Sequence, residues 1–326
     1  MNMQASALAH PNIAFIKFWG LSNENQRIPA NGSLSMNIDC LNTQTSVEFD
    51  PALEADVLII DNQEISGIGL KRVQFFLDRI RQLAGKNLHA RIISENNFPM
   101  GAGLASSASG FAALTLAATT ALGLELPERE LSALARFGSG SACRSIPGGF
   151  VEWIVDPDTG ETFAQSIAPA NQWNLVDCIA ILSHTHKPVG SEAGMRRAIS
   201  SPLQKARVAD ADRRLELCRK AILSRDFAAL AEITELDSNL MHAVMMTSNP
   251  PLYYWEPGSL AIMQAVKTWQ AEGLEVTFTL DAGPNVHLIT TKTSADEVVR
   301  RLHRFPEVID VLSGGPAGPA HLLRRG

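Results

Sequence analysis

Phe98-Pro99-Met100-Gly101-Ala102-Gly103-Leu104-Ala105-Ser106-Ser107-Ala108-Ser109 is the stretch around which the rest of the chain can be read. Pro99, Gly101 and Gly103 let the backbone turn tightly with its amides pointing inward. Beyond it, Phe111, Leu114, Ala118 and Leu122 keep a helical apolar spacing, which predicts a helix with Ser106 and Ser107 near its start. A Gly-rich loop feeding a helix start gathers unpaired N–H groups and the positive end of the helix dipole. That arrangement binds phosphate. It is not a Walker loop, which needs a Lys-Ser/Thr pair after the second glycine, and it lacks the third glycine of the dinucleotide fingerprint. The plain alternative is a Gly/Ala-rich helix start packed closely on a sheet.

With 326 residues the chain is long for one core, and two domains meeting near residue 170 (1–170 and 171–326) are expected. A formal net charge of −6 argues against a general nucleic-acid or membrane-surface binder, although a local basic pocket for a small anion remains compatible with it. Cys40, Cys143, Cys178 and Cys218 are widely spaced, without a Cys-x-x-Cys pair, and read as reduced, mostly buried thiols. No apolar run is long enough to span a bilayer and no signal pattern opens the chain, so a cytoplasmic protein is expected. His184 and His186 share a strand face, but two ligands make a weak metal case.

Taken in order, residues 6–20 are apolar and β-prone, interrupted by Asn12 and Lys17. A lone lysine in such a run usually keeps its head in water at a strand end; the alternative is a cation held in a cleft. Strands are expected near 29–39, after a turn at Asn31-Gly32, and at 43–49, 56–60 and 88–94. Leu70, Val73, Phe76, Leu77, Ile80 and Leu83 predict a helix from 69 to 83, and a second runs over 127–137. Next comes Gly138-Ser139-Gly140-Ser141-Ala142-Cys143-Arg144-Ser145, ending at Gly148-Gly149. Small residues around one arginine suit a backbone that approaches a ligand while a guanidinium grips a carboxylate or phosphate. Later segments predict a strand at 173–183, helices at 202–223, 226–247 and 257–272, strands at 274–280 and 286–290, a helix at 294–303 and a final strand at 308–312. The alternation indicates an α+β sandwich rather than a doubly wound sheet.

The loop pattern Pro-x-x-x-Gly-Leu-x-Ser-Ser-Ala resembles the nucleotide loop of the GHMP kinases. Five separated stretches are similar to one branch of that superfamily, the mevalonate diphosphate decarboxylases. They are Asn12–Gly20, Ser94–Ala108, Gly138–Ser145, Gly148–Trp153 and Asp281-Ala282-Gly283-Pro284-Asn285. The resemblance implies the GHMP kinase fold, with a ribosomal-protein-like N-terminal domain containing a left-handed βαβ unit, a ferredoxin-like C-terminal α/β sandwich, and an active site between them. It implies an ATP- and magnesium-dependent decarboxylation of mevalonate 5-diphosphate to isopentenyl diphosphate through transient 3-phosphorylation, in a homodimer.

By this resemblance Asp281 is the base, Lys17 holds it ionised and stabilises the transferring phosphoryl group, and Arg144 grips the substrate carboxylate. ATP would lie on Pro99, Gly101, Ala102, Gly103, Leu104, Ser106 and Ser107, with Ser107 near the magnesium. Substrate would be bound by Ser139, Gly140, Ser141, Arg72, Ser191 and Phe18. One departure stands out. The family usually reads Lys-Tyr-Trp-Gly-Lys where this chain has Lys17-Phe18-Trp19-Gly20-Leu21, so a hydroxyl and a second lysine that face the terminal phosphate in the family are absent. Arg196 or Arg197 could compensate. The nearest alternative is therefore a decarboxylase of mevalonate 5-phosphate; a mevalonate 3-kinase and a non-catalytic metabolite sensor follow.

Overall fold

Burial sorts the strands into two kinds. The computed structural model describes residues 3–98, 106–156, 160–185 and 189–325; Pro99, Gly101, Ala102, Gly103, Leu104 and His186 lie outside the described residues. The chain begins β1 (Gln4–Ala9), β2 (Asn12–Ile16), β3 (Leu21–Asn23), β4 (Ile28–Pro29), β5 (Ser33–Asn37), β6 (Thr43–Phe49), β7 (Val57–Ile60), β8 (Gln63–Glu64) and α1 (Gly67–Ala84). It continues through β9 (Ala90–Asn96), α2 (Ser106–Ala121), α3 (Glu128–Ala135), a 3₁₀ turn at Gly140–Ser145, β10 (Phe150–Val155), β11 (Thr162–Ala168) and β12 (Leu175–Ile181). After these come α4 (Ser191–Arg197), α5 (Gln204–Ala209), α6 (Ala211–Ser224), α7 (Phe227–Met246) and α8 (Pro257–Ala271). The last elements are β13 (Val276–Thr279), β14 (Val286–Thr291), α9 (Ala295–Leu302), β15 (Asp310–Gly314) and β16 (His321–Arg325).

β1, β6 and β9 bury alternate side chains, as strands with one wetter face do, and they belong to a six-stranded sheet ordered β16-β1-β6-β9-β7-β8. Among the described residues its only parallel pair is β7 with β9, joined through α1 as a βαβ unit. β2 and β5 are buried at every position, in the sheet β11-β10-β5-β2. The third sheet runs β13-β14-β12-β15. On β12 the period of two is explicit: Leu175, Ile179 and Ile181 pack with β2, β5, α6 and α7, whereas Val176, Cys178 and Ala180 pack with α8 and α9. The core between β2 and β12 therefore draws on both halves of the chain.

α2 is buried almost all round, and its alanines, serines and threonines let it lie close to β1, β6 and the 3₁₀ turn. Gly138 is obligatory here, because a Cβ would sit 2.0 Å from the Phe111 ring. α1 buries Val73, Phe76, Leu77 and Ile80 as expected, but Leu83 stays exposed. The single helix expected over 202–223 is two, broken at Asp210, whose carboxylate takes Arg213 (2.6 Å) and Arg214 (2.8 Å). The strand expected at 308–312 is not the last. β16 returns to pair antiparallel with β1 at the edge of the first sheet. All four cysteines are free, and burial pushes the Cys143 thiol up to about 12, so it is packing rather than a nucleophile.

Candidate active site

Lys17 follows β2, one residue past the strand, and its side chain is 2% exposed. The bland reading of a lysine reaching water fails. Its Nζ donates to Asp281 Oδ1 at 2.7 Å, in the segment after β13. The Lys17 backbone is clamped on both sides: its N–H donates to Asp237 Oδ2 at 2.6 Å, and its carbonyl accepts from Arg207 (2.7 Å) and Asn31 (3.0 Å). Asp237 on α7 also accepts from Arg214 at 2.7 Å, and Arg214 donates to the Arg207 carbonyl at 2.8 Å. Asp237, Arg207 and Arg214 are buried and form a fixed frame around one catalytic candidate. None of the three was legible as a site residue. Asn31, read as a turn residue, is buried and serves the same frame.

The frame is held together by charge out of water. Removing Asp237 strips the buried Arg207 of its carboxylate and leaves Arg214 only Asp210, so Asp237→Ala is expected to cost about 3–5 kcal/mol. A urea melt of the variant checks this; an unchanged midpoint would show that the frame contributes nothing to stability.

Burial by itself pushes the Asp281 carboxyl up, but the Lys17 ammonium, then His287, the Lys17 hydrogen bond and Arg144 together hold it below the usual carboxylate range. Asp281 therefore stays ionised through the working range and loses its charge only as pH falls through that lowered value. Lys17→Met removes the main charge opposing desolvation. The acid limb of kcat/KM is then expected to move to higher pH, which a pH–rate profile of the variant reads out. A limb in the wild-type position would detach Lys17 from the ionisation of Asp281. Burial and then the charge of Lys17 push His242 down to about 3, so a neutral imidazole lies beside the pair.

Arg144, in the 3₁₀ turn, is 4% exposed. Its guanidinium donates to Asn12 Oδ1 (2.9 and 3.2 Å), Ser35 Oγ (2.9 Å) and Ser33 Oγ (2.5 Å). Every one of these acceptors is neutral. Among the described residues no carboxylate pairs with it, which is unusual for a buried cation and leaves its charge for an incoming anion. Asn12 also donates to Ser141 O (3.1 Å) and Ser145 Oγ (2.8 Å), tying the turn to β2.

The side where the sequence places a nucleotide is built from two segments. Ser106 and Ser107 open α2, whose first turn carries no acidic residue, and Ser107 Oγ lies 3.1 Å from Ser139 Oγ. Arg72 donates twice to Gly138 O (3.1 and 2.7 Å), next to Ser139. Phe18 meets Trp153 edge-on at 4.7 Å, and a Cβ on Gly140 would lie 2.8 Å from the Phe18 ring. Ser191 opens α4, which packs against Trp19 through Gly194. Thus Phe18, Gly140, Ser139, Ser107 and Arg72 adjoin one another in sequence or space, while Ser191 stands on a separate helix.

Three large sheets, a helix start beside a small-residue turn, and a lysine–carboxylate pair with a buried arginine have the architecture of the GHMP kinase fold. Residues 9–167 match the diphosphomevalonate decarboxylase-like N-terminal domain, and 178–313 match the mevalonate 5-diphosphate decarboxylase C-terminal domain. The chain belongs to the mevalonate 5-diphosphate decarboxylase family. It is 37% identical to the diphosphomevalonate decarboxylase of Candida albicans over 92% of this chain and 88% of that one. It is 34% identical to the phosphomevalonate decarboxylase of Haloferax volcanii over 98% of each. The mevalonate diphosphate decarboxylase of Enterococcus faecalis, solved for its mevalonate diphosphate-mediated ATP binding, is 36% identical, with a TM-score of 0.90 over 98% of this chain and 99% of that one. A chain solved with MVAPP, AMPPCP and magnesium gives a TM-score of 0.92 at 37% identity, over 98% and 99%.

Proposed function

We propose that this protein uses ATP to decarboxylate a mevalonate phosphorylated at C5. The observation that carries this is the 2.7 Å Lys17–Asp281 pair together with a buried Arg144 that, among the described residues, is bound only by neutral acceptors. A tertiary 3-hydroxyl is a poor nucleophile, and Asp281 accepts or orients its proton as the oxygen bonds to the γ-phosphorus and ADP leaves. Lys17 keeps Asp281 ionised and faces the charge on the phosphoryl group. Arg144 holds the substrate carboxylate by its fork, aligned with the departing 3-phosphate. Loss of that phosphate and of carbon dioxide leaves the double bond of an isopentenyl phosphate ester.

ATP and magnesium come with this reading from relatives crystallised with such ligands. The residues present fit them. Ser106 and Ser107 stand at the positive end of a 16-residue helix, where phosphates are stabilised. Among the described residues no group of three His, Cys, Asp or Glu could hold a metal by itself, so magnesium would enter on the nucleotide, with Ser107 as its protein contact. It supplies neutralisation of phosphate charge. The family's homodimer belongs to the same reading. No helix among the described residues is long and apolar enough to cross a membrane.

The relatives' names divide between a diphosphate and a monophosphate substrate. The diphosphate gives isopentenyl diphosphate and the monophosphate gives isopentenyl phosphate; the second reading has Phe18 and Leu21 in its favour. Purified protein mixed with ATP, magnesium and each phosphorylated mevalonate should release ADP and carbon dioxide in equal amounts. ADP without carbon dioxide makes it a kinase, and neither product overturns the proposal.

A further inference from the structure

Arg72, which the resemblance places at the substrate's phosphate, shares a carboxylate of the chain itself with two other arginines. Glu192, the second residue of α4, lies 3.0 Å from Arg27, 3.4 Å from Arg196 and 3.9 Å from Arg72. The three guanidinia come from separate parts of the chain: the β3–β4 turn, the end of α4 and α1. Arg72 ties this cluster to the site, because the same guanidinium donates to Gly138 O beside Ser139. The segment that leaves the catalytic pair is Phe18–Gly20, with Trp19 against α4 and Phe18 against Gly140. With its carboxylate on Arg144 and its hydroxyl at Asp281, as proposed above, the substrate would extend its phosphate end toward Arg72.

We propose that Glu192 is a specificity-determining residue: its carboxylate takes up the cationic capacity that a second phosphate would need, and the site prefers mevalonate 5-phosphate to the 5-diphosphate. This deepens the function proposed above and rests on it. Arg196, which the sequence offered as a replacement cation, also lies 3.7 Å from Glu24, so two carboxylates draw on it. Phe18 and Leu21 add no side-chain donor. A phosphate monoester carries about −1.5 to −2 charge near neutral pH. A second phosphate adds charge against Glu192, and like charges brought together are how a site rejects a near-isostere.

The test compares kcat/KM for mevalonate 5-phosphate and mevalonate 5-diphosphate, with ATP and magnesium, in the wild type and in Glu192→Gln. Glu192 is 37% exposed, and the substitution keeps its shape. The wild type should favour the monophosphate. The variant should raise the diphosphate-to-monophosphate ratio about 10-fold, chiefly through a lower KM for the diphosphate, with the change shrinking as salt is added. A wild type markedly faster on the diphosphate, or a ratio unchanged in the variant, overturns the role of Glu192 while leaving the decarboxylase reading intact. ADP release from neither substrate overturns both.

Discussion

Asp281→Asn should lower turnover by about 10²–10⁴-fold while ATP binds nearly as before. The amide keeps the size of the carboxylate and one acceptor oxygen, so Lys17 can still donate to it, but it cannot take the hydroxyl proton. Lys17 then loses the charge that balances it, 264 residues away in sequence and 2.7 Å away in space. The fold should tolerate the change better than the chemistry does, because the Lys17 backbone is fixed by Asp237, Arg207 and Asn31 rather than by Asp281. Single-turnover kinetics with either phosphorylated mevalonate, alongside nucleotide titration, separates the two effects. Near-normal turnover would remove Asp281 from the role of base.

That fixed backbone is also the clearest case of what a sequence withholds. Lys17 in an apolar strand could be a strand-end lysine or a buried cation, and the local pattern is the same for both. The deciding facts are a carboxylate in the segment after β13 and an aspartate in the middle of α7. Asp237 sits inside a helical run whose spacing announces only a helix. Arg144 was visible because so many small residues surround it, yet Asn12, Ser33 and Ser35, which hold it, are 109 to 132 residues upstream. Glu192 was visible only as a neighbour of Ser191; its meaning depends on three arginines brought together by the fold.

Regular elements were easier to read, because their signal is local. The α1 and β6 patterns repeat with the periods of a helix and a half-buried strand, and the structure follows them. Two failures have physical causes. The break at Asp210 interrupts a run that keeps helical spacing throughout, so the apolar pattern gives no warning. His321–Arg325 carries three basic residues in five and finds its partner at the opposite end of the chain, where β1 offers an open edge.

Arg144→Lys should separate the two halves of the reaction. Lysine keeps the positive charge but not the planar fork, and it cannot reach Asn12, Ser33 and Ser35 together while also gripping a substrate carboxylate. Each buried acceptor left without a donor costs about 1–3 kcal/mol, so some stability is lost and the site loosens. In the proposed mechanism phosphoryl transfer depends on Asp281, Lys17 and the α2 terminus, none of which hydrogen-bonds to Arg144 among the described residues. ADP should therefore still form, more slowly, while carbon dioxide lags behind it and a 3-phosphorylated intermediate accumulates. The loss in overall turnover is expected to be about 10²-fold, the size associated with a misplaced reacting group. Rapid-quench sampling for ADP and carbon dioxide in the same reaction measures the lag directly. Equal release of the two at the wild-type rate would mean that the substrate carboxylate is held elsewhere.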